Sequence, residues 1–466
     1  MNYAWFATVA QAFDWVLKPA DRRLLGVLDS WTYGQGTVLA TNRDIYIWMN
    51  HVIAATLPSF LSNPAAFDAT PLMAMERTAL SLTEAAQQSE WTRVQAAGDY
   101  GTWTSRWTTW RTFRLNNDGA TAAAQPPSAA DLPNGATILD VQGTADPATF
   151  PAPYKWTPLK VGTKTQKYLT MNWNDTISPS LTAAQETQIK AAAEPFATNP
   201  GSQQRSDEIA EVVQITATLT DALKVQAEFW AGGPNTVAPP GMCIWFWKEL
   251  VRTSLADAAN DAAIAWNKII YSGLELALAL FETARLVWGL KKAHAEARPI
   301  QEIRRLYRGQ TLTGYDGAPV QGESWVPYQE TNFVTPPFPD FPSGHSAFSQ
   351  TFANVMTAWF GPTIPTSSLA PSARSDIALL SPALAATATT PAPLATFTFP
   401  AGASLIQPTI VPAQPQTFSW TTWQAMADAA GLSRKYGGIH AASAHVGSQA
   451  LANALTVVLQ SLFIRT

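Results

Sequence analysis

A single cysteine, Cys243, in 466 residues excludes an intrachain disulfide framework and leaves no thiolate cluster for a zinc or iron–sulfur centre. Charge is scarce as well. Only 14% of residues are charged, and 30 Lys+Arg against 34 Asp+Glu give a formal net charge of −4. A chain so balanced has no uniform basic face, which argues against nucleic acid as a partner. Long uninterrupted apolar helices are also missing. The 51-residue uncharged run 377–427 holds prolines at 382, 391, 393, 400, 408, 412 and 415, so it cannot span a bilayer as a helix. The apolar stretch 269–290 carries Glu275, Glu282 and Arg285 and reads as a buried helix, so no membrane span is predicted. The opening residues lack a cationic stretch and carry Asp14, so no signal peptide is read in them. That leaves the compartment open: cytoplasmic, or exported with a removed leader. At 47% hydrophobic, the chain is too apolar for disorder and long enough for one large domain or two.

What the sequence does have is helical periodicity. Apolar positions recur at helical spacing over 7–16, 43–60 and 72–88, which predicts an N-terminal helical half across residues 1–115. Between 116 and 153 the composition turns to Ala, Pro, Gly, Asp and Thr, and this segment reads as a loop-rich junction. Residues 154–466 return to long helical patterns at 183–198, 206–230, 244–260, 262–290, 346–360 and 441–464, and are predicted to form a C-terminal helical bundle. Two breaks interrupt it: 309–342, and a Pro/Ala/Thr-rich insertion at 361–416 whose β-prone piece lies at 395–399. Loops of this length in a compact bundle are usually functional. The low charge and 19 tryptophans are compatible with a homo-oligomer interface but do not locate one.

Three local patterns carry chemistry. Between Arg285 and Arg308 there are seven basic residues against two acids, a local balance of +5 in an acidic protein. Trp288, Lys291 and Arg298 are spaced by three and seven, near one face of a helix, and Pro299 then turns the chain out of it. Lys291 and Arg298 could grip one anion, or simply face solvent beside Glu296 and Glu302. In the second pattern, Phe338-Pro339-Asp340-Phe341-Pro342-Ser343-Gly344-His345, Ser343 stands where a helix N-cap would stand. Gly344 would let a backbone N–H approach an oxyanion at the positive end of that helix, with His345 at its mouth. The third, Ser433-Arg434-Lys435-Tyr436-Gly437-Gly438-Ile439-His440, uses two glycines to let Arg434 and His440 converge although their spacing fits no single helix face. Of five histidines, His345 and His440 fall in these turns; His51, His294 and His445 read as core or surface residues.

In this order, Lys291-x6-Arg298-Pro299, Pro342-Ser343-Gly344-His345 and Ser433-Arg434-x5-His440 resemble the three-part signature of the vanadium-dependent haloperoxidases and type 2 phosphatidic acid phosphatases. The likeness covers about residues 285–445. It implies an all-α fold of two helical bundles with long loops, and the chain length suits the haloperoxidase branch better. It also implies vanadate as cofactor, with hydrogen peroxide, a halide and a small organic acceptor as partners. Lys291, Arg298, Ser343, Gly344 and Arg434 would hold the oxyanion's oxygens, and His440 would bind vanadium. His345 would help peroxide displace the apical hydroxide, while Lys291 polarises the bound peroxide. Trp288 and Phe338 fall where haloperoxidases place aromatic residues, and would shape a halide pocket. Phe338 also stands where algal bromoperoxidases have His, which makes the chain more like chloro- or iodoperoxidases.

The same constellation suits phosphoryl chemistry, in which His440 is the nucleophile of a phosphohistidine and His345 the general acid; a soluble acid phosphatase is therefore the alternative. A catalytically silent anion-binding relative is the third reading. Two departures bear on the choice. The position four after His440, often Asp in the superfamily, is Ala444, which removes that route to a carboxylate orienting the histidine. After Phe229-Trp230-Ala231, where relatives often carry an Asp that steadies an active-site arginine, this chain has Gly232, and Glu228 is the nearest substitute.

Overall fold

The computed structural model describes residues 39, 42–56, 69–105, 108, 132–135, 137–171, 173–176, 178, 180–233, 236–257, 262–366, 377, 380–387 and 393–463. The helix expected over 7–16 and much of the junction at 116–153 lie outside them. The fold is all-α with three small sheets. Among the described residues the helices are, in chain order, α1 (Asn42–Thr56), α2 (Thr70–Leu80), α3 (Glu84–Ala97), α4 (Ala183–Ala193), α5 (Gln203–Ala217), α6 (Asp221–Phe229), α7 (Ala238–Asp257), α8 (Ala262–His294), α9 (Pro299–Leu306), α10 (Gly344–Phe360), α11 (Trp423–Tyr436) and α12 (Ala442–Gln460).

Two expected helices are split by caps that periodicity cannot see. The run at 72–88 breaks between α2 and α3, where Ser81 adopts φ 54° and the Thr83 hydroxyl accepts from Ala86 N. The run at 206–230 breaks between α5 and α6, where Thr220 caps the second helix through Leu223 N. Around 183–198 the regular helix ends at Ala193, and Pro195 sits in a single 3-10 turn.

Helix α10 is the centre of the molecule. It packs against α7, α8, α11 and α12, and from Ser346 through Ala353 every residue is buried. A helix buried on all sides lies in a core, and its polar members Ser349, Gln350 and Thr351 are hydrogen-bonded there. Around it α8 contributes Leu276, Leu280, Ala284 and Val287, α11 contributes Trp423, Met426 and Ala430, and α12 contributes Leu451 and Leu455, in one continuous cluster. The N-terminal helices join this cluster: α1 packs on α8, and Trp48 stands edge-on to Trp103 and Tyr100 at ring separations of 5.9 Å.

A second, smaller core gathers Leu139, Leu159, Ile209, Val212, Ile300, Ile303 and Trp325 beneath α5 and α9. Here β1 (Leu139–Asp140) pairs in parallel with β2 (Leu159–Val161), which turns antiparallel into β3 (Lys164–Thr165). Buried Arg304 of α9 ties this sheet down by donating to the Val141 carbonyl at 2.9 Å. The break at 309–342 begins with a hairpin of β4 (Thr311–Thr313) and β5 (Pro319–Gln321). In the insertion, the β-prone piece forms β6 (Thr396–Phe399), paired with β7 (Gln416–Ser419). Among the described residues no helix is long and apolar enough to cross a membrane.

Candidate active site

Four chain segments meet at the N-terminus of α10. The C-terminal turn of α8 brings Trp288 and Lys291. The residue beginning α9 brings Arg298, because Pro299 takes the first helical position and leaves Arg298 extended at the cap. The loop entering α10 brings Phe338, Asp340 and Ser343, whose hydroxyl caps the helix through Ser346 N. The end of α11 brings Arg434. There Gly437 ends the helix and Gly438, at φ 71°, reverses the chain so that His440 returns to the same place. A side chain at Gly438 would also collide with Pro327, 2.9 Å from the position of a Cβ.

The cations are deeply buried: Lys291 is 0% exposed, Arg434 1% and Arg298 2%. Lys291 Nζ donates to the carbonyls of Pro339 (2.6 Å) and Asp340 (3.0 Å). Arg298 donates through Nε to the Phe338 carbonyl at 2.7 Å and through Nη1 to the Ile439 carbonyl at 2.8 Å, and the same Nη1 lies 3.0 Å from His440 Nε2 and 3.5 Å from Nδ1. Arg434 donates through Nε to Ser433 Oγ at 2.9 Å and through Nη2 to the Ala227 carbonyl. Burial pushes Arg298 down to about 10 and Arg434 down to about 9, so both stay charged at neutral pH. Burial and the neighbouring Arg298 hold Lys291 well below the ordinary lysine range.

The histidines are kept neutral by the same environment. Burial, then Arg298, lowers His440 to about 3. Burial, then Arg434 and His440, lowers His345 well below its ordinary value. Its ring reaches the backbone of Trp230 and Ala231, and part of it remains open while Nε2 is shielded from solvent. Trp288 and Phe338 lie 5.0 Å apart between ring centres, with Lys291 Nζ 5.0 Å and the Arg298 guanidinium 5.1 Å from the Phe338 ring. The Trp288 indole is fixed by donating to the Leu169 carbonyl at 2.9 Å. A Cβ at Gly344 would touch the Trp288 ring at 3.7 Å, so the bare glycine keeps the space beside that ring clear.

Two supports differ from expectation. Glu228 does not serve Arg434 or His345; its carboxylate accepts from Tyr328 Oη, Ser404 Oγ and Leu405 N, tying α6 to the insertion. The arginine is held by the carbonyl of Ala227 instead. The carboxylate absent at Ala444 is supplied by Asp340, whose Oδ1 makes a short hydrogen bond with His440 Nδ1. Desolvation would raise this carboxyl, but His440, Arg205 and Arg298 together hold it below the usual carboxylate range. Asp340 lies inside the second sequence pattern, where nothing local singles it out, because its partner is 100 residues away. Of the histidines set aside, His51 and His294 are half-buried and pair with Glu76 and Glu194, while His445 is buried and shares a 2.9 Å hydrogen bond with Ser346 Oγ.

Residues 273–462 match the family model described as the VCPO second helical-bundle domain. The whole chain superposes on the apo-type and holo-type bacterial vanadium-dependent chloroperoxidase at TM-scores of 0.59 and 0.57, with 13% and 14% identity over 99% of this chain and 94% and 92% of those. It also superposes on a bacterial vanadium-dependent iodoperoxidase at 0.56, with 15% identity over 99% of this chain and 91% of that one. The chain therefore shares the fold of these bacterial vanadium-dependent enzymes. No curated protein matches it in sequence.

Haloperoxidase relatives imply vanadate, and the donor set here fits such an oxyanion. Two buried guanidinium nitrogens at the meeting point, Arg298 Nη2 and Arg434 Nη1, have no hydrogen-bond partner, and neither has His345 Nε2. Unpaired buried donors on cations are costly unless an acceptor completes them. Lys291 and Arg298 share Asp340 and Glu296 with Arg205, and no carboxylate among the described residues pairs with Arg434, so the cluster is short of negative charge. Among the described residues no group of three His, Cys, Asp or Glu could cage a bare metal ion. The donors at this place suit an oxyanion.

Proposed function

We propose that this chain is a vanadate-dependent haloperoxidase that uses hydrogen peroxide to oxidise halide to hypohalous acid. The observation that carries the reading is the pair of unpartnered guanidinium nitrogens of Arg298 and Arg434, with the unpartnered His345 Nε2, beside the neutral ring of His440. Bound vanadate would supply the Lewis acid that activates peroxide. Lys291, Arg298, Arg434, Ser343 and the Gly344 N–H would hold its oxygens, and His440 Nε2 would bind the metal. His345 sits at the half-open edge of the pocket, where it can hold or pass a proton to an entering peroxide. Lys291 reaches the centre from beneath, tethered by two carbonyls, and its charge is favoured once an anion is beside it. Trp288 and Phe338 line an apolar wall on which a polarisable halide can rest.

A second reading, hydrolysis of phosphate esters through a phosphohistidine at His440, draws support from Asp340, which gives the histidine the orienting carboxylate that Ala444 removes. Vanadate retention separates readings of the ligand. His440→Ala removes the metal-binding atom and is expected to lose vanadate on gel filtration, whereas wild type carries it through; retention and full halide oxidation by His440→Ala would sink the assignment.

A further inference from the structure

We infer that Asp340, anchored by Arg205 of α5, is the positioning residue that sets the tautomer of His440 and so aims a lone pair at the oxyanion site. The inference rests on the proposed function for its ligand, but its evidence is the geometry around the imidazole. Asp340 is an ionised carboxylate and can only accept, so its Oδ1 takes the ring proton from His440 Nδ1. The lone pair of the neutral ring is then left on Nε2. Arg298 Nη1 lies over the ring, 3.0 Å from Nε2 and 3.5 Å from Nδ1, and does not decide between them.

Asp340 itself has no freedom to turn. Its Oδ2 accepts from Arg205 Nη2 at 3.0 Å and from Ala441 N at 3.4 Å, and the side chain is fully buried. Arg205, 2% exposed, is fixed in turn by Glu302 at 2.7 Å through Nε, by Glu296, and by the Ala297 carbonyl at 3.1 Å. One turn along α5, Glu208 accepts from both N and Oγ of Ser443, gripping the start of α12 just after His440. Helix α5, which contributes nothing to the oxyanion pocket, thus holds His440 from behind. This arrangement does the work of a carboxylate at position 444 from a different place in the chain.

The anchor makes a sharp test, because Asp340→Asn is nearly isosteric but cannot satisfy both neighbours in the same way. Arg205 and Ala441 N only donate, so they select the amide oxygen and turn the amide NH2 toward His440 Nδ1. The ring proton is then driven to Nε2. Labelling the five histidines with 15N in vanadate-free protein reads the protonated ring nitrogen directly. Wild type is expected to show Nδ1–H at His440, and Asp340→Asn to show Nε2–H or an exchanging mixture. Calorimetry is expected to show orthovanadate binding weakened at least ten-fold in Asp340→Asn, with Arg205→Lys showing a smaller loss in the same direction. An unchanged tautomer together with unchanged vanadate affinity in Asp340→Asn would overturn the inference while leaving the proposed function standing. Failure of wild type to bind vanadate would contradict the proposed function alone, since the nitrogen spectrum of the unloaded protein still decides the role of Asp340.

Discussion

Replacing Arg434 by Met separates a residue kept for anion binding from one kept for stability. Arg434 is 1% exposed, and no carboxylate pairs with it; burial alone moves it from 12.5 to about 9. At 1.36 kcal/mol per tenfold, that displacement places the cost of burying its charge on the order of 5 kcal/mol. Two charge-assisted hydrogen bonds, to Ser433 Oγ and the Ala227 carbonyl, return about 3–6 kcal/mol. The two contributions nearly cancel, so Arg434→Met leaves the unloaded protein within about 2 kcal/mol of wild type. With unfolding entropy near 2.1 cal/mol/K per residue over 466 residues, about 1 kcal/mol corresponds to about 1 °C in Tm.

Vanadate reveals the difference. At a concentration of about 100 times Kd, a ligand stabilises wild type by about 2.7 kcal/mol, a rise of about 3 °C. Losing one charge-assisted bond of about 1.5–3 kcal/mol weakens binding by about 10- to 150-fold. At the same vanadate concentration the variant then keeps only about 0.3–1.4 kcal/mol of that stabilisation. Differential scanning fluorimetry with and without orthovanadate reads both quantities. A fall of more than about 4 °C in the unloaded variant, the signature of breaking a buried ion pair, would refute the reasoning, as would an undiminished vanadate shift.

Three further outcomes follow from the same coordinates. Lys291→Gln keeps donors for the Pro339 and Asp340 carbonyls but removes the charge; calorimetry should show vanadate affinity reduced about ten-fold or more, with melting little changed, and equal affinity would contradict the assignment. Gly322→Ala would place a Cβ 1.9 Å from the Tyr307 carbonyl oxygen, a backbone atom that cannot swing aside, so urea unfolding should show a loss of about 2–4 kcal/mol; a neutral variant would mean this turn yields easily. Glu282 is fully buried and raised from 4.5 to about 7 by desolvation, despite Arg285 and the hydroxyls of Ser178 and Ser180. The folded state thus holds a proton that the unfolded state has lost, and stability falls as pH rises from about 4.5 through 7, by at most about 3 kcal/mol. Glu282→Gln should flatten that part of the pH–Tm curve, and an unaltered slope would remove Glu282 as its cause.

What the sequence made legible is what local chemistry encodes. Pro299 after Arg298, Ser343 before an apolar run, and the Gly437-Gly438 pair each announce a helix terminus within a few residues, and those termini bring the cations together. The helical class followed from periodicity, but periodicity ran through the breaks at Ser81 and Thr220, because a cap interrupts hydrogen bonding without interrupting the apolar stripe. Long-range partners left no local trace. Asp340 looks like one more loop residue until His440 arrives beside it, and Arg205 sits in an ordinary amphipathic helix. Glu228 was a reasonable substitute on proximity along the chain, yet its side chain leaves α6 toward Tyr328 and Ser404.

The most direct test of the account is halide oxidation by purified protein after incubation with orthovanadate, with hydrogen peroxide and, in turn, iodide, bromide and chloride. The account predicts turnover that requires vanadate and disappears in His440→Ala. No turnover with any halide, accompanied by p-nitrophenyl phosphate hydrolysis that vanadate inhibits, would contradict it and assign the same residues to phosphoryl transfer.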